Sequence, residues 1–237
     1  IIGGGIGGME AAILCTKRGH KVTLYEQSDK LGGVFIAASA PSFKEKDRDL
    51  ISWYIREIAK LQIDVRLNTR IDDINTLDAD EIIIATGSKA KRIPVKGADL
   101  AIEAVDYLLG KKEVGEEVTI IGGGLTGCEI AYDLYLQGKK PTIIEMQDDL
   151  ITTKGVCLAN TSYLRDFFKT NKVPVYLETG LDEIGEGNVT LKDKEGKTFT
   201  VDTDSVILSV GYNPAPLAPK KKHVHVIGDA AQVGNLR

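Results

Sequence analysis

Two kinds of apolar pattern alternate along this chain. Short runs of aliphatic and β-branched residues, such as Ile1-Ile2, Val22-Thr23-Leu24-Tyr25, Val118 to Ile121 and Thr142 to Ile144, predict buried strands. Met9 to Arg18 and Cys128 to Gln137 carry helical spacing instead, and each is followed by a glycine, Gly19 or Gly138, suited to the residue after a helix end. The order strand, glycine turn, helix, strand therefore occurs twice. Units that short imply parallel strands with right-handed crossovers. Asp49 to Leu61 predicts an additional helix with Leu50, Ile51, Tyr54, Ile55, Ile58 and Leu61 on one face, and Trp53 is expected in the core or, alternatively, beside a ligand. Val189-Thr190-Leu191 and Phe199-Thr200-Val201 flank a polar turn and predict a hairpin.

The repetition extends to residue identities. Displaced by 119 positions without a gap, residues 1–27 lie on residues 120–146 with 12 identities, among them Gly3 on Gly122, Gly8 on Gly127 and Glu26 on Glu145. With shifted offsets, Ile63 to Thr69 echoes Val173 to Thr179, and Asp78 to Ile84 echoes Asp202 to Leu208, each of the latter closing on a glycine, Gly87 or Gly211. A repeat of this period means two copies of a whole domain.

Each copy carries candidate chemistry at its glycine turn. In Gly3-x-Gly5-x-x-Gly8 the first glycine permits a tight turn, the second lets backbone approach a pyrophosphate, and the third lets helix pack on strand. The phosphates then meet free N–H groups at the positive end of the helix. Glu26 follows 18 residues beyond the third glycine, where an acid binds ribose hydroxyls; Gly122-x-Gly124-x-x-Gly127 and Glu145 repeat the same spacing. The first copy has additional parts. Leu31-Gly32-Gly33 offers further exposed N–H groups, and Val224 to Ile227 is a late strand ending in Gly228-Asp229. A carboxylate at Asp229 suits a polyol such as flavin ribityl, or alternatively caps a turn. Two different dinucleotides fit these features better than two equal ones.

Length and composition exclude other classes. The chain has 237 residues, 43% hydrophobic and 27% charged, with a formal net charge of −4. That suffices for one large domain or two smaller ones, and disorder is not expected. No apolar run approaches a membrane span, and the charge balance argues against nucleic acid as a partner. Lys220-Lys221-Lys222 reads as a solvated loop. Three cysteines without a CxxC pair provide neither a disulfide framework nor a zinc pattern. Cys15 and Cys128 read as small buried hydrophobes, and a reducing cytoplasm is the expected location. The abrupt opening at Ile1-Ile2-Gly3 and the close after a glycine loop suggest a piece of a longer protein.

Together these motifs resemble the two-dinucleotide-binding-domain flavoproteins of the glutathione-reductase structural type. The resemblance implies an α/β fold with two Rossmann-like domains, the second inserted in the first: residues 1–95 and 213–237 for FAD, and residues 96–212 for NAD(P)H. It implies FAD contacts at Gly3, Gly5, Gly8, Glu26, Gly33, Thr86, Gly228 and Asp229. NAD(P)H contacts are implied at Gly122, Gly124, Gly127 and Glu145. Gly8-Met9-Glu10-Ala11-Ala12, Arg18-Gly19-His20-Lys21-Val22, Leu31-Gly32-Gly33 and Ile227-Gly228-Asp229-Ala230 with Asn235-Leu236 are similar to the C-terminal half of the 2,4-dienoyl-CoA reductase and 2-enoate reductase group. In that group an old-yellow-enzyme-like N-terminal barrel carries FMN and an iron–sulfur cluster, so the resemblance implies an NADH-to-FAD input module for a barrel that reduces an activated alkene. The absent CxxC disfavours the disulfide-reductase branch. No catalytic side chain and no metal ligand are assigned, because the cofactors hold the chemistry. Glu145, with no arginine after it, favours NADH over NADPH, and Lys139 and Lys140 are expected nearby as a softening influence. Two rival readings are a non-redox nucleotide-binding regulatory module and a stand-alone NADH oxidase or ferredoxin-reductase-like enzyme.

Overall fold

The computed structural model describes residues 1–235; Leu236, quoted above with Asn235, lies outside the described residues. The chain forms two compact units. One comprises Ile1–Ala40, Lys44–Lys89 and the stretch from Tyr212 onward; the other comprises Pro41–Phe43 and Ala90–Gly211. The first division thus falls at 89/90 rather than 95/96, and the second at 211/212 rather than 212/213. Side chains decide this: Ile93 and Val95 already pack on the second unit's apolar cluster, and Lys96 pairs with Glu183 at 2.6 Å. Pro41–Phe43 joins the second unit because Ser42 Oγ donates to Asp133 at 2.6 Å and the Phe43 ring stands edge-on to Tyr132.

In the first unit the segment at Ile2 runs between two parallel neighbours. It leads into α1 (Ile6–Lys17), followed by β1 (Thr23–Tyr25), α2 (Phe35–Ala38), α3 (Glu45–Lys60), β2 (Asp64–Arg66), β3 (Ile82–Ile84) and β4 (Ser88–Ala90). Ile2 bridges Tyr25 on one side and Ile84 on the other, while β1 pairs β2 with Leu24 opposite Val65. Met9, Ala12, Ile13, Leu24, Tyr54 and Ile58 bury one another beneath α1 and α3. The third helix begins earlier than the spacing predicts, because Glu45 and Asp47 in its first turn suit the positive end of the helix. Its buried stripe is also narrower than expected. Tyr54 and Ile58 are buried, but Ile55 is 42% exposed and Trp53 is 40% exposed, resting edge-on against Tyr54. Periodicity ranks positions around a helix, but the partner surface sets how much of the stripe it covers.

The second unit runs β5 (Ile102–Glu103), α4 (Ala104–Leu108), β6 (Glu117–Ile121), α5 (Leu125–Leu136), β7 (Lys140–Ile144), α6 (Leu158–Thr170), β8 (Val175–Tyr176), β9 (Thr179–Gly185), β10 (Asn188–Asp193), β11 (Thr198–Asp202) and β12 (Ser205–Leu208). The strand order β5-β12-β6-β7-β8 makes a parallel sheet, with β9–β11 as a separate antiparallel sheet. Alternation along the strands gives the parallel sheet two apolar faces. Ile120, Ile143 and Ile207 pack with Ile130, Leu134 and Phe168 of the helices. Their neighbours Ile121, Ile144 and Leu208 pack with Ile184, Val189 and Leu191 of the antiparallel sheet. The predicted hairpin has the register Val189 opposite Val201 and Leu191 opposite Phe199.

The chain then returns through β13 (Tyr212–Pro214), paired with β4, and β14 (Val224–Val226), which lies parallel to β3 with Val226 opposite Ile84. The first unit's sheet order is therefore β2-β1-Ile2-β3-β14. This doubled parallel α/β architecture agrees with the fold class expected from sequence. Among the described residues, no helix is long and apolar enough to cross a membrane, and no group of three or more His, Cys, Asp or Glu side chains is placed to hold a metal ion.

The β3–β14 pair carries a carboxylate between two imidazoles. Glu81 Oε1 lies 2.8 Å from His223 Nδ1, and Oε2 lies 2.8 Å from His225 Nε2. The hydrogen bonds from His223 and then His225 hold the Glu81 carboxyl below its ordinary range. Its stabilising contribution is therefore complete above that range and disappears as pH falls through the lowered value. Melting temperature followed from pH 5 to pH 3 should fall less steeply for Glu81→Gln than for the parent chain, an effect kept modest by solvent exposure.

Candidate functional site

The first glycine turn is dictated by backbone crowding. Gly3 has φ +106°, and a Cβ there would strike the carbonyl oxygen of Ala85 just beyond β3. A Cβ on Gly8 would strike the carbonyl of Gly3. Gly5 caps α1 in an extended conformation, without a side-chain cap and with no acid in the first turn. The first-turn N–H groups are thereby left for an anion. Glu26, only 7% exposed, closes the turn. Its Oε2 accepts the Gly4 N–H at 2.7 Å, and its Oε1 accepts the N–H and the hydroxyl of Ser28, both at 2.8 Å.

Other parts of the first unit gather at this turn. Gly32 donates to the Gly4 carbonyl at 2.8 Å, and a Cβ on Gly33 would come within 3.0 Å of Gly5 Cα. Gly228 stands beside the start of α1, its Cα 3.9 Å from where a Cβ on Gly7 would sit. Asp229 Oδ1 accepts the Gly234 N–H at 3.1 Å, and Oδ2 accepts the Ser88 hydroxyl at 3.3 Å. Thr86 turns its hydroxyl to the Ala215 carbonyl at 2.8 Å, tying the loop after β3 to the returning chain.

The second unit repeats the backbone crowding and the carboxylate bond of this turn. Gly122 has φ +108° and faces the Ser209 carbonyl; Gly127 faces the Gly122 carbonyl; Gly124 caps α5 with no side-chain cap. Glu145 Oε2 accepts the Gly123 N–H at 2.6 Å, and Oε1 accepts the Gln147 N–H at 2.8 Å. Nothing lies within 4 Å of a Cβ built on Gly124. The copies differ beside the turn. Ile151 donates to the Gly123 carbonyl at 2.8 Å, as Gly32 does to Gly4, but its β-branched side chain is buried with φ at +52°. Thr152 then stands where the first copy has Gly33. Cys128 is buried behind this turn, its thiol donating to the Gly123 carbonyl at 3.4 Å. Burial first, and the Glu145 charge second, push that thiol up to about 12, so it is no nucleophile near neutrality. Cys15 is only half-buried, less enclosed than expected.

Lys139 and Lys140 do not accompany Glu145. Lys139 donates to the carbonyls of Val114 and Gly115 at 2.9 and 2.8 Å, and Lys140 pairs with Glu117 at 3.3 Å. Both lie where β7 begins, whereas Glu145 follows where it ends, a separation of about 16 Å for five strand residues. The motif spacing also leaves two elements unread. Gly4 and Gly123, the variable positions of the fingerprint, are the donors to the carboxylates. Leu31 and Leu150 fill the space against them, each leaving no room for a Cβ on its glycine. The signal was available, since those leucines also stand 119 positions apart.

Two parallel α/β units, each with a glycine turn closed by a carboxylate beyond the next strand, define a pair of dinucleotide-binding folds. The chain belongs to the pyridine nucleotide-disulphide oxidoreductase family, whose model matches residues 1–233. It is 38% identical over 248 residues to a cinnamate reductase of Clostridium sporogenes, covering 100% of this chain and 36% of that protein. An NADH oxidase of Thermoanaerobacter brockii is 36% identical over 252 residues, covering 100% of this chain and 38% of that protein. A 2-naphthoyl-CoA reductase structure superimposes with a TM-score of 0.89 at 29% identity, covering 99% of this chain and 37% of that one. The chain thus spans little more than a third of the length of these relatives. They agree with the reductase resemblance drawn from the motifs, and the family implies FAD and NAD(P)H as cofactors.

The turn geometry separates glycines crowded by backbone from one that faces open space. Gly8→Ala or Gly127→Ala should lower unfolding stability by about 1–3 kcal/mol in denaturant titrations, since the new methyl meets a backbone carbonyl. Gly124→Ala, at φ −67° in open space, should stay within about 0.5 kcal/mol of the parent.

Proposed function

We propose that this chain is the NADH-to-FAD input half of a larger reductase, with FAD on the first unit and NADH on the second. In this reading electrons pass on to FMN and an iron–sulfur cluster in a separate barrel domain, which reduces an activated alkene, an enoate or enoyl-CoA. The observation that carries the reading is the doubled cradle, an uncapped helix start with a carboxylate fixed beside it, differing between copies at Gly32-Gly33 and at Gly228-Asp229. The names of the cinnamate and naphthoyl-CoA reductases support the substrate class. The relative named NADH oxidase supports a second reading, in which oxidation of NADH is itself the activity.

When bound, the cofactors supply the redox chemistry, transfer of a hydride from nicotinamide to flavin. The chain supplies binding and orientation. The first-turn N–H groups of α1 and α5 receive the pyrophosphates, and Gly5 and Gly124 keep the approach free of a Cβ. Gly3, Gly8, Gly122 and Gly127 hold the turns in shape. Glu26 and Glu145 keep acceptor capacity for adenosine ribose hydroxyls beyond the backbone donors they already hold. Gly33 adds a backbone donor for the flavin side, the loop at Thr86 borders it, and Gly228-Asp229 receives the ribityl chain. The Glu145 carboxylate repels a 2′-phosphate, which makes NADH the preferred coenzyme. No side-chain acid or base is assigned to hydride transfer.

The purified chain, incubated with FAD, should show a flavin spectrum that bleaches anaerobically with NADH and more slowly with NADPH. A preparation that binds ADP but takes up no flavin would support a non-redox nucleotide-binding module instead. Glu145→Arg should move the preference toward NADPH. Gly124→Ala should weaken NADH binding about tenfold, the loss of one or two phosphate hydrogen bonds, while leaving stability intact.

A further inference from the structure

We propose that Glu178 is a coenzyme-selectivity residue of the second unit: it neutralises Lys194 at the rim of the adenosine groove and so keeps that groove hostile to a 2′-phosphate. The inference rests on the reading of this unit as the NADH site. An open groove of about 590 Å³ begins at Met146 and Gln147, immediately past Glu145, and runs along Glu178 to the turn at Lys192 and Lys194. The ribose 2′ position is the atom that an acid at the end of the second strand recognises, so the groove starts where a 2′-phosphate would project.

A continuous set of hydrogen bonds links the ribose acid to the lysine. Gln147 donates its N–H to Glu145 Oε1 at 2.8 Å, Glu178 donates its N–H to the Gln147 carbonyl at 2.9 Å, and Lys194 Nζ reaches Glu178 Oε2 at 2.7 Å. That hydrogen bond and the Glu178 charge hold the Lys194 ammonium above its ordinary value. The groove is lined by the carboxylates of Asp148, Glu178, Asp182 and Asp193 against the ammonium groups of Lys192 and Lys194. Glu178 is thus the difference between a Lys194 spent on an ion pair and one free to meet a phosphate.

The internal repeat supplies an independent observation. Asn68 occupies the corresponding position of the first unit. It donates to Ser28 O at 2.8 Å as Glu178 does to Gln147 O, and the next residue, Thr69 or Thr179, donates to the carbonyl of Glu26 or Glu145. Both residues are left-handed, with φ +51° at Asn68 and +50° at Glu178. Asparagine tolerates this conformation, whereas glutamate does so at a cost. A residue disfavoured by its backbone is thus held where its side chain engages Lys194.

Calorimetric titration of the full chain with ADP-ribose and with 2′-phospho-ADP-ribose tests the inference. Glu178→Asn should shift the ratio of the two affinities toward the phosphorylated ligand by about two- to fivefold, the scale of one exposed charge pair. Adding Lys194→Ala should return the ratio to the parent value. Because asparagine is at home in the left-handed turn, Glu178→Asn should melt no lower than the parent. An unchanged ratio, or a shift that survives Lys194→Ala, would overturn the role of Glu178 while leaving the coenzyme site in place. A parent chain that binds neither ligand would overturn the coenzyme reading itself.

Discussion

A carboxylate bonded to the N–H of a glycine holds each half of this protein in working shape. Glu26 reaches Gly4, and Glu145 reaches Gly123. A charge as enclosed as Glu26 is costly unless it is hydrogen-bonded, and here two backbone N–H groups and a hydroxyl supply those bonds. The bond ties the end of the second strand to the tip of the first turn. With that tip pinned, the turn must be tight, so its first glycine lies against a carbonyl just past a neighbouring strand and its third against the carbonyl of the first. The helix start is consequently left bare of side chains. The group expected to recognise ribose is therefore also a strut of the fold, and the two duties are inseparable at this position.

The duplication shows which features the geometry demands and which are free to diverge. Glycines, carboxylate, packing leucine and even the carbonyl facing the first glycine recur in both copies. Divergence begins one step outside. Gly32 becomes Ile151, which keeps the same hydrogen bond in a conformation that β-branched residues avoid. Asn68 becomes Glu178. The changes lie beside the glycine turn, while the turn itself recurs in both copies. The family takes its description partly from disulphide chemistry, yet Cys128 sits sealed behind a turn, donating its S–H to a carbonyl. In this chain the shared fold offers nucleotide binding without a thiol pair.

Much of this was legible in the residues. The 119-residue displacement exposed the duplication, the glycine–acid spacing located both turns, and alternating residues placed the hairpin strands whose observed register pairs Val189 with Val201. These signals are local, set by the stereochemistry of a turn or the period of a strand, so they survive without knowledge of neighbours. The resemblance added the cofactor assignments, which the turns alone leave open.

Other features depended on what packs against what. Ile55 and Trp53 belong to an amphipathic helix, but only the surface beneath α3 decides that the covered stripe stops short of them. Ile93 and Val95 precede the expected boundary in sequence and lie beyond it in space, because their side chains join the second core. Lys139 and Lys140 are close to Glu145 along the chain and a strand's length away from it, while Lys194, 49 positions distant, borders the groove beside it. Sequence alone determined the repeated glycine turn and located the acid that closes it, since these follow from the stereochemistry of the turn and a fixed spacing. Tertiary structure alone decided which charges share a groove, because an extended strand separates adjacent residues and a hairpin brings remote ones together.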